Sequence, residues 1–228
     1  MKLYTGNYLS YENINVNYNN LNNDEWAKKQ ENKINNIDFV EGYGENKILI
    51  NLSSNFDNTK ILDFGGGLGI SYMILKKYYM GDIKYRIIET EKICLLGNKI
   101  FGDDKNISFS KSIKKNMEVD IVYIRTSLQY VKEWENLLLS LIDLAPKYFL
   151  FINLTAGNIR TFLTLQNWQN IHIPYWFFNI DDFKQVFFKN GYKIKYENNG
   201  SNILDNSYDV SVEKKFRISF TKNLIFTK

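Results

Sequence analysis

One stretch limits what this chain can fold into more than any other: Lys60-Ile-Leu-Asp-Phe-Gly-Gly-Gly-Leu-Gly-Ile-Ser-Tyr72. Ile61 and Leu62 read as the end of a buried strand. Asp63 and Phe64 lead into a turn carrying Gly65, Gly66, Gly67 and Gly69. From Ile70 onward apolar residues recur at helical steps, through Met73, Ile74 and Tyr78. Strand, glycine turn and helix are the opening unit of a nucleotide-binding α/β sheet. Glycine in that turn lets backbone approach a ligand closely and leaves N–H groups to bind it.

Spacing narrows the ligand. Gly65, Gly67 and Gly69 give G-x-G-x-G, whereas a dinucleotide fold wants G-x-G-x-x-G, and Ile70 stands where its last glycine would fall. No Walker G-K-[ST] follows. The next strand, Tyr85-Arg-Ile-Ile-Glu-Thr90, ends on Glu89, 20 residues after Gly69. An acidic residue at the tip of the second strand accepts hydrogen bonds from ribose hydroxyls, and Thr90 adjoins it. A tight strand–helix turn without a ligand is the competing reading of the glycines taken alone. Together, the glycines and their leading acidic residue resemble motif I of class I S-adenosylmethionine (SAM)-dependent methyltransferases.

The 228 residues suit one domain with a sizeable core, and 44% hydrophobic and 16% aromatic content favour a folded globule over disorder. The net charge of +4 comes without a dense basic run interleaved with aromatics, so nucleic acid is not implied. The single cysteine, Cys94, sits in an apolar context and reads as a small core residue; a lone cysteine fits a reducing cytoplasm. The first residues lack the apolar segment of a signal peptide, and no run of 18 apolar residues predicts a membrane span.

Taken in order, residues 1–20 show no clean period and are expected to be an irregular arm. A helix is expected over 22–37, with Asn23 or Asp24 as cap and Trp26, Lys29, Lys33 and Ile37 on one face; a second covers 44–55. Strands at 60–64, 84–89, 107–109, 120–124 and 148–152 then alternate with helices at 69–80, 91–101 and 132–144. A mixed stretch over 154–179, a helix at 180–190, a strand at 192–196, a polar loop at 197–209 and a strand within 215–226 complete the chain. This alternation predicts a doubly wound α/β sheet. The expected organisation is an N-terminal helical extension over 1–56 and a single globular unit over 57–228.

A narrower resemblance rests on Leu62-Asp-Phe-Gly-Gly-Gly-Leu-Gly69, Thr126-Ser-Leu-Gln-Tyr130, Gln166, Ile173-Pro-Tyr175 and Gly191-Tyr192. This combination is similar to a methyltransferase family found among bacterial surface-polysaccharide genes, those of capsule and lipopolysaccharide. The resemblance implies a Rossmann-like methyltransferase fold, with a seven-stranded, mostly parallel sheet and helices on both faces. It also implies SAM as cofactor, a carbohydrate or other small-molecule acceptor, O-methylation and a cytoplasmic location; a non-catalytic methyltransferase-fold partner of another enzyme is the competing reading. Asp63 would organise the turn near the methionine amino group, or merely cap the helix. Gly65, Gly66 and Gly67 would line methionine and ribose, Gly69 would let the helix start close to the sheet, and Phe64 is pocket wall or core. Glu89 and Thr90 would hold the ribose.

Ser127, Leu128 and Gln129 follow the fourth strand on the rim where ligands bind. Leu128 is expected against adenine, with Gln129 and Tyr130 towards donor or acceptor; helix-start capping is the alternative for Gln129. A sugar hydroxyl usually needs a proton acceptor, and His172 is the one histidine, though a lone histidine flanked by isoleucines is more often structural. Gln166 stands beside it as a catalytic candidate, and Arg160 and Tyr175 as acceptor-binding ones. No H-x-x-x-H or cysteine pair suggests a metal. Tyr175-Trp-Phe-Phe178 is core, lid, sugar-stacking surface or the contact of a homodimer.

Overall fold

A computed structural model describes residues 2–15, 21–168 and 171–228. Along the chain come β1 (Tyr4–Tyr8), α1 (Asp24–Asn35), α2 (Phe39–Ser53), β2 (Asn58–Phe64), α3 (Ile70–Tyr78), β3 (Asp82–Ile88), α4 (Glu91–Phe101) and β4 (Ile107–Ser110). They are followed by β5 (Ile121–Arg125), α5 (Trp134–Ile142), β6 (Tyr148–Leu154), β7 (Ala156–Gly157), β8 (Phe162–Trp168), β9 (Ile171–Asn179), α6 (Ile180–Phe188), β10 (Lys193–Ile203) and β11 (Phe220–Thr227). Seven strands form one sheet in the order β10–β11–β6–β5–β2–β3–β4. β2 pairs in parallel with β3 and β5, and β3 with β4, while β10 and β11 run antiparallel. The strand order turns back at β2, which has β3 on one side and β5 on the other. Open parallel sheets bind ligands at the carboxyl end of such a switch point. Among the described residues no helix is long and apolar enough to cross a membrane.

Two compact units make up the chain. One comprises Leu21–Ile124 and Ser140–Leu150. Its β2 and β3 are buried where they carry Ile61, Leu62, Tyr85 and Ile87. α1 begins where Asn23 Oδ1 accepts the Trp26 N–H at 2.8 Å. Its buried face is Gln30 and Ile34, not the expected line of Lys29 and Lys33. Ile34 joins Leu68 and Ile93 in an apolar cluster flanked by Trp26 and Met73. α2 starts at Phe39, five residues before the glycine where the sequence placed it, because Asp38 Oδ1 accepts the N–H groups of Val40 and Glu41 at 2.8 and 3.0 Å. Gly42 sits inside that helix because it lies against Ile74 of α3, too close for a Cβ.

The other unit comprises Met1–Asn20, Arg125–Leu139 and Phe151–Lys228. Here β8 and β9 form an antiparallel hairpin, with β1 added outside β8 and β7 outside β9. The core under it joins Tyr4, Phe162, Tyr175, Phe177, Tyr208, Val212 and Phe216. Two expectations are corrected in this unit. The arm over 1–20 contains a strand, since Tyr4 pairs with Gln166 and Thr5 with Leu165, so residues 1–56 are not helical throughout; residues 16–20 lie outside the described ones. The polar loop over 197–209 is in large part strand: β10 continues to Ile203, laddered on β11, although nearly every residue along it is exposed.

Candidate functional site

In the first unit the chain leaves β2 through the glycine turn. Gly65 donates its N–H to Ile88 O at 2.9 Å, tying the turn to the end of β3. Asp63, 1% exposed, accepts the Tyr85 hydroxyl at 2.7 Å through Oδ2. Burial, and after it the charge of Asp63, hold the Tyr85 hydroxyl well above its ordinary pKa, so it stays a donor. A Cβ on Gly66 would run into the Asp63 carboxylate. Asp63 thus lies directly beneath the turn and shapes it.

Glu89 reaches the turn from the neighbouring strand. Its Oε1 accepts the Gly67 N–H at 3.2 Å and its Oε2 the Thr90 N–H at 2.7 Å. Burial lifts the Glu89 pKa, and the two backbone donors oppose that lift. Two N–H bonds leave lone pairs free on a carboxylate. Gly67 has φ +57°, a left-handed conformation that L side chains adopt only under strain. A Cβ built on Gly67 would lie 2.5 Å from Gln30 Oε1, so α1 delivers a side chain onto the turn. Gly69, at φ +80°, caps α3. Phe64 is half-buried at the start of the turn.

The second unit gathers another group. Leu128 and Gln129, just beyond β5, are buried; Gln129 Nε2 donates to Asn153 O at 3.0 Å. Gln129 Oε1 is buried without a hydrogen-bond partner among the described residues. Thr126, immediately before Ser127, and Asn153, near the end of β6, both have left-handed backbones, at φ 53° and 56°. Non-glycine residues seldom hold that conformation, and it concentrates at functional sites. Asn153 is a hub: its N–H donates to Asn223 Oδ1 at 2.9 Å, and its Oδ1 accepts from Ser201 N and Thr221 Oγ1 at 3.0 and 2.9 Å.

Beside this group, Tyr130 donates its hydroxyl to Gln166 Oε1 at 2.7 Å, and the Tyr130 and Tyr175 rings meet edge-on at 5.0 Å. Tyr4 packs on Tyr175 with centroids 5.3 Å apart. Burial is the main reason the pKa of each of these three hydroxyls is raised, so all stay neutral. Tyr130, Gln166 and Tyr175, predicted separately, are therefore brought together. His172 is not with them. It pairs with Asn167 across the hairpin, one register step from Gln166, and alternate residues face opposite sides of a sheet. Its Nδ1 lies 2.6 Å from Asn167 Oδ1. Arg160 is exposed.

Sequence reasoning missed Gln30, Tyr4 and Asn153. The signal for Gln30 was there: Trp26, Gln30 and Ile34 recur every four residues, a polar residue in an apolar stripe. Tyr4 and Asn153 carried none, since one sits in an aperiodic segment and the other owes its conformation to partners distant in sequence.

No family model and no curated protein matches the chain. Solved structures do. A chain from the complex of the Haloferax volcanii Trm112 methyltransferase activator with a candidate methyltransferase superposes with a TM-score of 0.61 at 12% identity, covering 90% of this chain and 94% of that one. An S-adenosylmethionine dependent methyltransferase from Mesorhizobium loti gives 0.57 at 15% identity, covering 82% and 99%. One from Clostridium acetobutylicum gives 0.54 at 11%, covering 90% and 98%. At such identities these likenesses establish a shared Rossmann-like α/β fold.

Proposed function

We propose that this protein is a SAM-dependent methyltransferase and that the glycine turn of its first unit holds the methyl donor. One observation carries the reading: at the carboxyl ends of two adjacent parallel strands, the Gly67 N–H and the Glu89 carboxylate meet at 3.2 Å. The residues there fit such a ligand. Gly66 and Gly67 bring backbone where a Cβ would clash, and Asp63 and Glu89 supply negative charge suited to a cationic sulfonium compound. When bound, SAM supplies a methyl group activated by positive sulfur. The chain's part is to orient and to exclude water, since charge disperses in such a transfer and alignment dominates. Glu89 has acceptor capacity for the ribose diol, with Thr90 beside it; Asp63 and Tyr85 keep the turn in shape.

The second unit supports an acceptor rich in hydroxyls. Tyr130, Gln166 and Tyr175 offer neutral donors and acceptors beside aromatic faces, the combination that suits a sugar. Gln129, with Ser127 and Leu128, adds a buried carbonyl able to accept an N–H or O–H. Together with the family resemblance, this favours O-methylation of a sugar or sugar substituent of a bacterial surface polysaccharide, in the cytoplasm; another small-molecule acceptor is the alternative. Calorimetric titration with SAM or S-adenosylhomocysteine tests the donor site. Wild type should bind, and Glu89→Ala and Gly67→Val should each lose at least tenfold in affinity. No binding by wild type ends the reading. Mass spectrometry of surface carbohydrate from cells with and without the gene tests the acceptor, through one missing methyl group.

A further inference from the structure

Three side chains meet Gly66 and Gly67, namely Asp63, Glu89 and Gln30. Two are carboxylates, which accept hydrogen bonds only; of the three, Gln30 alone brings N–H donors. Gln30 is 5% exposed, and its amide makes no hydrogen bond to any described residue. The amide is not sealed in the core: neither of its polar atoms is both buried and unpaired, so it borders open space at the turn. Its neighbours on the same helix stripe, Trp26 and Ile34, belong to the apolar cluster around Leu68 and Ile93. So the fold holds a polar group at the glycine turn where packing alone would favour leucine.

We propose that Gln30 recognises the amino-acid end of the nucleoside bound at this turn, its Nε2 donating to the ligand's carboxylate. This rests on the donor-site reading above. Asp63 and Glu89 suit the cationic parts of such a ligand but repel a carboxylate, which needs a neutral or positive donor nearby. A lysine or arginine at position 30 would pair with Glu89 and be spent there. An amide does not form that ion pair, and rotating it about its last torsion exchanges O for N at small cost. α1, capped by Asn23, sets the side chain over Gly67.

The test compares two ligands on the intact protein: S-adenosylhomocysteine, and 5′-methylthioadenosine, which lacks the amino-acid end. Gln30→Ala and the near-isosteric Gln30→Met should each weaken S-adenosylhomocysteine about 10- to 100-fold, the loss of one hydrogen bond to a charged group. Both should bind 5′-methylthioadenosine within about twofold of wild type, as should Lys28→Ala, an exposed change on the same helix. Unchanged S-adenosylhomocysteine binding, equal losses for both ligands, or tighter binding by Gln30→Met would overturn the proposal. The last would mean that Gln30 merely blocks the turn. Wild type binding 5′-methylthioadenosine but not S-adenosylhomocysteine would overturn it too, while binding neither would remove the donor-site reading itself.

Discussion

Asp63 keeps its shape-giving position because one hydroxyl is fixed on it. Replacing Tyr85 with Phe would strip that donor from a carboxylate only 1% exposed. The expected cost is about 1.5–3 kcal/mol, the value of a bond to a charged group, seen as a lower midpoint in thermal or urea melts. Glu89 is set the other way. Burial raises its pKa, so its folded form takes up a proton at a higher pH than the unfolded chain does. Between the two values the folded state holds more protons, and the contribution of Glu89 to stability falls as pH rises. Affinity for a cationic donor should do the reverse, weakening on acidification at a pH above that of an ordinary glutamate. Titrations of SAM from pH 8 to 5 would register this, and Glu89→Gln should flatten the profile at low affinity. The motif spacing carried both carboxylates, because strand ends fix side chains relative to a turn. It could not carry Tyr85, whose role depends on which strand lies next to β2.

At the scale of elements, the joint between β6, β10 and β11 turns on Asn153. Its Oδ1 accepts two donors, so Asn153→Ala leaves the Ser201 N–H and the Thr221 hydroxyl without an acceptor. The cost should be about 2–4 kcal/mol. Asn153→Gly loses the same bonds but suits the left-handed backbone, so it should melt as a protein about 1 kcal/mol more stable than the alanine variant. What the sequence disclosed about elements follows from periodicity. α4 spans Glu91–Phe101, the bounds its apolar face predicts, and β6 was readable as a wholly apolar run. β10 was cut short because Lys, Asn, Ser and Gly dominate it, and its ladder with β11, not apolar alternation, makes it a strand. β8 and β9 were hidden by another means. β9 carries Pro174, which strands seldom admit, and β8 is buried over its first four residues on both faces, leaving no alternation to read. Helix α1 was found but its face misjudged, since the line through Lys29 and Lys33 was followed instead of the one through Gln30 and Ile34.

For the molecule as a whole, the second unit depends on the two ends of the sequence at once. Tyr4, 3% exposed, packs against Tyr175, Phe177 and Tyr208. Deleting residues 2–8 should cost about 3–5 kcal/mol, the range for losing a large buried aromatic. Hydrogen exchange should then rise along Phe162–Trp168 while the amides of β2 and β3 keep their protection. A doubly wound α/β sheet was legible from the alternation of strands and helices; this second sheet was not, because its first strand stands more than 150 residues from its partner. The same strand has a consequence for how the protein is made. A ribosome releases Tyr4–Tyr8 first but the complementary segment only after residue 168, while the unit bearing the glycine turn has all its residues by Leu150. The nascent chain must therefore carry a tyrosine-rich strand in waiting while more than 150 further residues emerge, and chains stalled near residue 190 should resist protease around the turn.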